Sequence, residues 1–300
     1  MHMKSFLLNV IFLFSFVAVN AQYSSPVMEV ALSGGYQTAD LRWSIAGNGS
    51  GQSPNILSEV KWHALSGPSL DARGRFNVTN RLFITGEVSK CFIKAGNATD
   101  TDYADDDRGL PTYSAQLDAD EGRLSAVRFY GGYNFLQRAG LRITVFVGYA
   151  ENREFLFLLN HAQYIPGERN LRCTYNTSWK GISGGLSGRY RATSWLELTG
   201  ELQYSQMNYK ATADWNLIDA FQHPVSFKQE ARGFDLKMSV TCAFRLRSYL
   251  SLFTSGTYSR AETGTGTDEL FLESGAVQTT QFNGAFTHAK KIAIGALVQF

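Results

Sequence analysis

Residues 196–205 read LELTGELQYS, and no other stretch limits the possible folds as tightly. Leu196, Leu198, Leu202 and Tyr204 share one parity, while Glu197, Thr199, Glu201 and Gln203 share the other. Side chains of an extended strand alternate between its two faces, so this segment is a strand with one apolar and one charged face. The C-terminus repeats the period: Ile292, Ile294, Ala296, Val298 and Phe300 alternate with Ala293, Gly295, Leu297 and Gln299. A charged face meets bulk water in a soluble sandwich and a wet lumen in a membrane barrel. The alternation alone leaves both open.

Two further features separate them. The chain opens MHMKSFLLNVIFLFSFVAVNAQ, with Lys4 before an apolar stretch and small residues at Val19-Asn20-Ala21. That pattern predicts an export signal over residues 1–21, removed before Gln22; an N-terminal anchor would need a longer apolar core. Beyond it no apolar run reaches the length of a spanning helix, while aromatics make up 13% and 28 Gly stand against 6 Pro. Short polar links at 77–81, 137–140, 191–194 and 245–248 alternate with longer ones near 38–54, 96–121, 161–169, 213–223 and 261–278. The alternation predicts ten antiparallel strands with both termini at the short-link end, the layout of a bacterial outer-membrane barrel with periplasmic turns and extracellular loops. Residues 22–300 are therefore expected to form one all-β domain, a monomeric ten-stranded transmembrane barrel. Strands of roughly 15–20 residues exceed the ~10 needed to cross lipid, so several walls should rise above the membrane.

The run AGNATDTDYADDD, residues 95–107, places five aspartates within eight positions of a chain whose net charge is +2. On composition it is a solvated acidic loop. A calcium loop of EF-hand type fails, because counting from Asp100 the sixth position is Asp105 instead of Gly and the twelfth is Pro111 instead of Glu. Gly96, Asn97, Asp100, Asp102 and Tyr103, together with LSEVKW (57–62), GYAENREFLF (148–157), GLSGRYR (185–191) and LELTGELQYS, resemble the omptin family of outer-membrane endopeptidases. The resemblance implies a ten-stranded barrel. It also implies an aspartate pair facing an aspartate–histidine pair across an extracellular cleft, where the four activate a water. It carries the first pair onto Asp100 and Asp102 and the second aspartate onto Asp214. The family's histidine position holds Asn216, which cannot take a proton; His223, in the same loop, is the candidate replacement. Alternation from Leu196 puts Asp214 on the lipid-side parity, so a bulge or a departure from pairing is expected before it reaches a cleft. The acidic substrate positions of omptins fall on Thr38 and Thr212, with Asp40 nearby, so a preference for basic peptides is not implied.

The same resemblance places a lipopolysaccharide contact at Tyr149, Glu151 and Arg153, outward on the strand that carries Leu141, Ile143, Val145 and Val147. A guanidinium suits a lipid phosphate. The cations sought on neighbouring strands are displaced, with Trp179 and Glu230 at the expected points and Lys180 and Arg232 beside them. Cys91, Cys173 and Cys242 are widely spaced, with no Cys-x-x-Cys pair, which speaks against a zinc site and leaves a Cys173–Cys242 bridge open. No basic stripe interleaved with aromatics suggests nucleic acid, and no metal or other cofactor is expected. The function classes left are an omptin-like protease, active or altered; a silent barrel whose rim binds or adheres; and a small pore. The pore ranks last, because large lumen residues such as Arg142, Glu197 and Glu201 should fill a ten-stranded barrel.

Overall fold

The computed structural model describes residues 26–138 and 140–300; the expected export signal lies outside them. Twelve strands follow one another: β1 (Met28–Ile45), β2 (Ser58–Asn77), β3 (Leu82–Phe92), β4 (Ala95–Asp105), β5 (Gly109–Asp118), β6 (Gly122–Arg138), β7 (Leu141–Leu159), β8 (Arg172–Arg191), β9 (Leu196–Asp214), β10 (Phe227–Arg245), β11 (Leu250–Phe271) and β12 (Val277–Gln299). All pairings are antiparallel, and β1 with β12 closes the ring from Glu29↔Gln299 to Ile45↔Phe282.

Twelve strands make ten staves. The lower part of β2 pairs with β3 and the upper part with β4, so β3 and β4 are one interrupted stave. β5 continues β6 in the same way, between β4 and β7. Glycine permits both jogs: Gly96 and Gly122 have φ of +155° and +124°, and a Cβ on Gly122 would lie 2.2 Å from the carbonyl oxygen of Phe155.

The alternation holds. Ile292 and Ile294 are 71% and 70% exposed on the outer face, and Leu198, Leu202 and Tyr204 join them, while Glu201 and Gln203 turn inward and are buried. Two polar stretches expected as long links are strand instead. Residues 96–121 form the β4–β5 hairpin, with only Asp106–Arg108 at its tip, and most of 261–278 belongs to β11. Alternating Thr263, Thr265 and Thr267 extend that wall, a pattern favourable to a strand with two polar faces.

Inside, ion pairs span the lumen, Lys237–Glu87 at 3.4 Å and Arg189–Glu29 at 3.4 Å, and Arg73 on the neighbouring strand meets Glu87 at 3.2 Å. They border a cavity of about 280 Å³, so the lumen is less completely filled than its large residues suggested. Above it lies an aromatic layer in which Trp43 and Trp62 stack on Tyr175 at 5.6 and 5.2 Å and Trp179 packs on Tyr209 at 4.5 Å. Two of its rings find partners for their polar ends: Trp62 donates to Phe157 O, and Tyr175 donates to Gln229. Cys91, Cys173 and Cys242 are free thiols, so no bridge joins the last two.

Candidate functional site

The rim above the aromatic layer begins with the acidic run. On β4 the even positions Ala98 and Asp100 are buried and Asp102 follows on the same side, so both carboxylates point inward. Asp100 stands opposite Val60 and Ala115; Asp102 stands opposite Ser58 and Tyr113. Burial pushes the Asp100 carboxyl up to about 7, and the Asp102 charge adds to it, while a hydrogen bond from Trp215 acts the other way. The Tyr113 hydroxyl is raised by burial and then by the same two carboxylates.

The rest of the run has a structural task. Asp105 accepts from the amide of Asp106, Asn55 binds both Asp106 and Asp107, and Arg108 grips Glu59 with two bonds of 3.1 and 2.8 Å. The hairpin tip is thereby docked onto the loop between β1 and β2.

Asp214 ends β9 on the outward parity of Lys210 and Thr212, and no register shift interrupts the pairing of β9 with either neighbour. The departure is in the loop. After Trp215 the chain turns, anchored by a bond from the Trp215 amide to Ser226, and returns with His223. His223 Nδ1 lies 2.6 Å from Asp214 Oδ1.

Asn216 does not join that pair. Its Oδ1 accepts from the amide of Arg172 at 2.8 Å and its Nδ2 donates to Asn170 O at 2.8 Å, clamping the loop before β8. Cys173, also against Asn216, connects the two halves: burial pushes its thiol up to about 12, the Asn216 bond opposes this, and the charges of Asp100 and Asp214 both add to it. Cys173 is thus within electrostatic reach of both carboxylates.

Thr38 and Asp40 lie on the outward parity of β1, and Thr212 on that of β9. Asp40 accepts from the Ala64 amide and meets His288 Nε2 at 3.0 Å. On β7, Tyr149 is exposed; Glu151 pairs with Arg153 and, at 3.4 Å, with Lys180. Trp179 turns inward and donates to Glu154, while Glu230 pairs with Lys210 at 2.5 Å.

Four participants had little signal in the sequence. Trp215 and Tyr113 come to the aspartates through loop and hairpin geometry, and a second pair joins His161 Nε2, after β7, to Asp120 Oδ1, between β5 and β6, at 3.0 Å. The Asp120 carboxylate raises the affinity of that imidazole for its proton. Rim segments 46–61, 100–121, 159–173, 213–228 and 267–281 together carry fifteen Asp and Glu against five Lys and Arg, in a chain that is +2 overall.

Among solved structures, the chain is similar to the outer membrane protease OmpT from Escherichia coli, with a TM-score of 0.76 and 13% identity over 94% of this chain and 99% of that one. OprG from Pseudomonas aeruginosa gives a TM-score of 0.41 at 10% identity, over 92% of this chain and 97% of that one. The translocator domain of the Neisseria meningitidis autotransporter NalP gives 0.39 at 8%, over 100% and 96%. No curated protein matches the sequence. At 13% identity the likeness to OmpT is one of fold. The sequence match lies elsewhere: residues 31–298 fit the Protochlamydia outer membrane protein family, Pom, and the chain belongs to that family of outer-membrane barrels.

Proposed function

We propose that this barrel is an omptin-like surface endopeptidase whose catalytic histidine is His223. The observation that carries the reading is the 2.6 Å contact between His223 Nδ1 and Asp214 Oδ1. A carboxylate on Nδ1 fixes the tautomer and leaves Nε2 to act as base. In this reading Asp100 and Asp102 hold a water in the cleft. His223 Nε2 takes its proton as the oxygen attacks the scissile carbonyl carbon. The tetrahedral intermediate then releases the amine with that proton, so water is split across the bond and no acyl intermediate forms. Asp100, whose carboxyl is raised by burial to about 7, can in its protonated form donate a hydrogen bond as well as accept one.

The long-loop end faces the cell exterior in this proposal, and its acidic excess favours cationic peptides through the field of the whole mouth. Thr38, Asp40 and Thr212 would influence entry only from the outer side of their strands. Lipopolysaccharide at Tyr149, Glu151 and Arg153 belongs to the same reading, although Glu151 already engages both neighbouring cations.

The test is turnover of a mixed peptide library by the folded barrel in lipopolysaccharide-containing micelles, for the parent and His223→Ala. Cleavage by the parent that falls at least a hundredfold in the variant supports the proposal. Cleavage that survives the substitution points to another base. No cleavage by the parent, with retained peptide binding, favours the non-enzymatic rim.

A further inference from the structure

The outer wall formed by β11, β12 and β1 carries a second arrangement of charge, directly above the apolar belt and on the opposite face of the barrel wall from Asp100 and Asp102. Its rungs follow from the strand register. Ile292 on β12 stands level with Tyr36 and Gly256; one step up, Lys290 stands level with Thr38 and Tyr258. The next rung is Asp40, His288 and Arg260, and the one above it Arg42, Phe286 and Glu262. These residues share the outward parity, and Tyr36 and Tyr258 mark the level at which aromatic girdles of barrels meet the headgroups.

Phe286 organises the top rung. The Arg42 guanidinium, from β1, lies 5.1 Å from its ring centroid, and that of Arg260, from β11, lies 5.0 Å away. Such contacts are worth only about 0.5–1 kcal/mol at exposed sites, but they hold two long side chains in place before a ligand arrives. Of the carboxylates nearby, Asp40 meets His288 at 3.0 Å and Glu262 pairs with Arg260 at 2.7 Å, which leaves Arg42 as the uncompensated cation of the top rung. Among the described residues no carboxylate forms an ion pair with Arg42 or Lys290, and both are exposed. At Arg153 the situation is the reverse, since Glu151 already binds that cation.

We propose that this face is a binding site for a phosphorylated lipid headgroup, with one phosphoryl group at Lys290 and another at Arg42, where the guanidinium lies against Phe286. Lys290 and Phe286 are four residues apart on one strand, roughly 13 Å at ~3.3 Å per residue, and the Asp40–His288 contact lies between them. The acyl chains of the same lipid lie along Ile292 and Ile294. Apolar belt below and anchored cations above fit a lipid-borne phosphate better than a free one, because the belt adds burial that a soluble anion cannot use.

The experiment uses the folded barrel in neutral-detergent micelles, titrated with bisphosphorylated lipid A, its dephosphorylated counterpart and inorganic phosphate, and read by native mass spectrometry. The parent should bind the bisphosphorylated lipid at least tenfold more tightly than the dephosphorylated one, and inorganic phosphate should not compete at equal concentration. Arg42→Gln with Lys290→Gln should lose that tenfold preference, while Arg42→Lys with Lys290→Arg should keep most of it. Equal binding of both lipids by the parent, full competition by inorganic phosphate, or an unchanged preference in the glutamine variant overturns the proposal. The comparison of lipids on the parent stands even if the glutamine variant folds poorly.

Discussion

Carboxylates line both the lumen and the rim, and Glu87 in the one and Asp100 in the other are held in opposite ways. In the lumen Glu87 lies between Arg73 and Lys237, Glu29 meets Arg189, and Asp71 meets Lys291. At the rim Asp100 is buried against another carboxylate, Asp102, and its bond comes from the neutral indole of Trp215. Pairing with cations keeps buried charge tolerable and fixes the wall. Crowding two acids without a cation costs stability and leaves a group that titrates near neutrality, the condition under which a carboxyl can take part in proton chemistry. The contrast separates Glu87, which holds the barrel, from Asp100, which is left to titrate.

The contrast breaks most sharply at Asp214. Asp214→Asn removes the acceptor that orients His223, and kcat/KM for peptide cleavage should fall roughly 10²–10⁴-fold with little change in melting temperature. A loss under threefold would mean that the pair is only a loop contact.

Asp100 offers the next largest effect, through pH. Its folded-state value of about 7 lies above the ordinary 3.8. The native state therefore holds a proton that the unfolded chain has released, and stability declines as pH rises from about 4 to about 7. The full penalty above pH 7 has an upper bound of about 4 kcal/mol, at 1.36 kcal/mol per unit. Asp100→Asn escapes it, so the variant's advantage in melting temperature should grow from pH 4 to pH 8. A difference that stays flat across that range would contradict the unpaired-acid description.

Glu87→Gln probes the other region. It leaves Arg73 and Lys237 sharing Glu201 alone, 3.7 Å from each, and should cost roughly 2–3 kcal/mol, short of the full penalty for a dry pair because that carboxylate remains and the cavity can admit water. Unaltered unfolding would show that the lumen pairs are not structural. The smallest effect belongs to the hairpin tip, where Asn55→Ala removes side-chain bonds to Asp107. About 1 kcal/mol of local stability should be lost, seen as faster amide exchange over 105–109. Unchanged exchange there would return Asp106 and Asp107 to a solvated loop.

The walls were legible in the sequence because a side-chain period of two survives any detail of packing: Leu198 and Ile292 face outward, as their parity required. Polar walls were harder. Residues 96–121 lack an apolar face to signal a strand, and their extended form rests on pairing between β4 and β5 and on the grip of Asn55. The inward direction of Asp100 and Asp102 is a matter of parity only once that pairing is in place. The neighbour of Asp214 is not, because it depends on how twelve loop residues fold. That loop is fixed by contacts remote in sequence, such as the Phe221↔Leu272 bridge and the Asn216 clamp on residues 170 and 172. Register along β9 gives Asn216 no privilege over His223.

Those two residues supply the most direct measurement. Peptide-cleavage kcat/KM and melting temperature are determined side by side for the parent, His223→Ala and Asn216→Ala. With His223 as base, the parent cleaves, His223→Ala loses at least a hundredfold without melting earlier, and Asn216→Ala keeps activity within about tenfold while melting earlier from the loss of its two backbone bonds. Full activity in His223→Ala, or its abolition in Asn216→Ala alone, would contradict the assignment of His223 as the catalytic base.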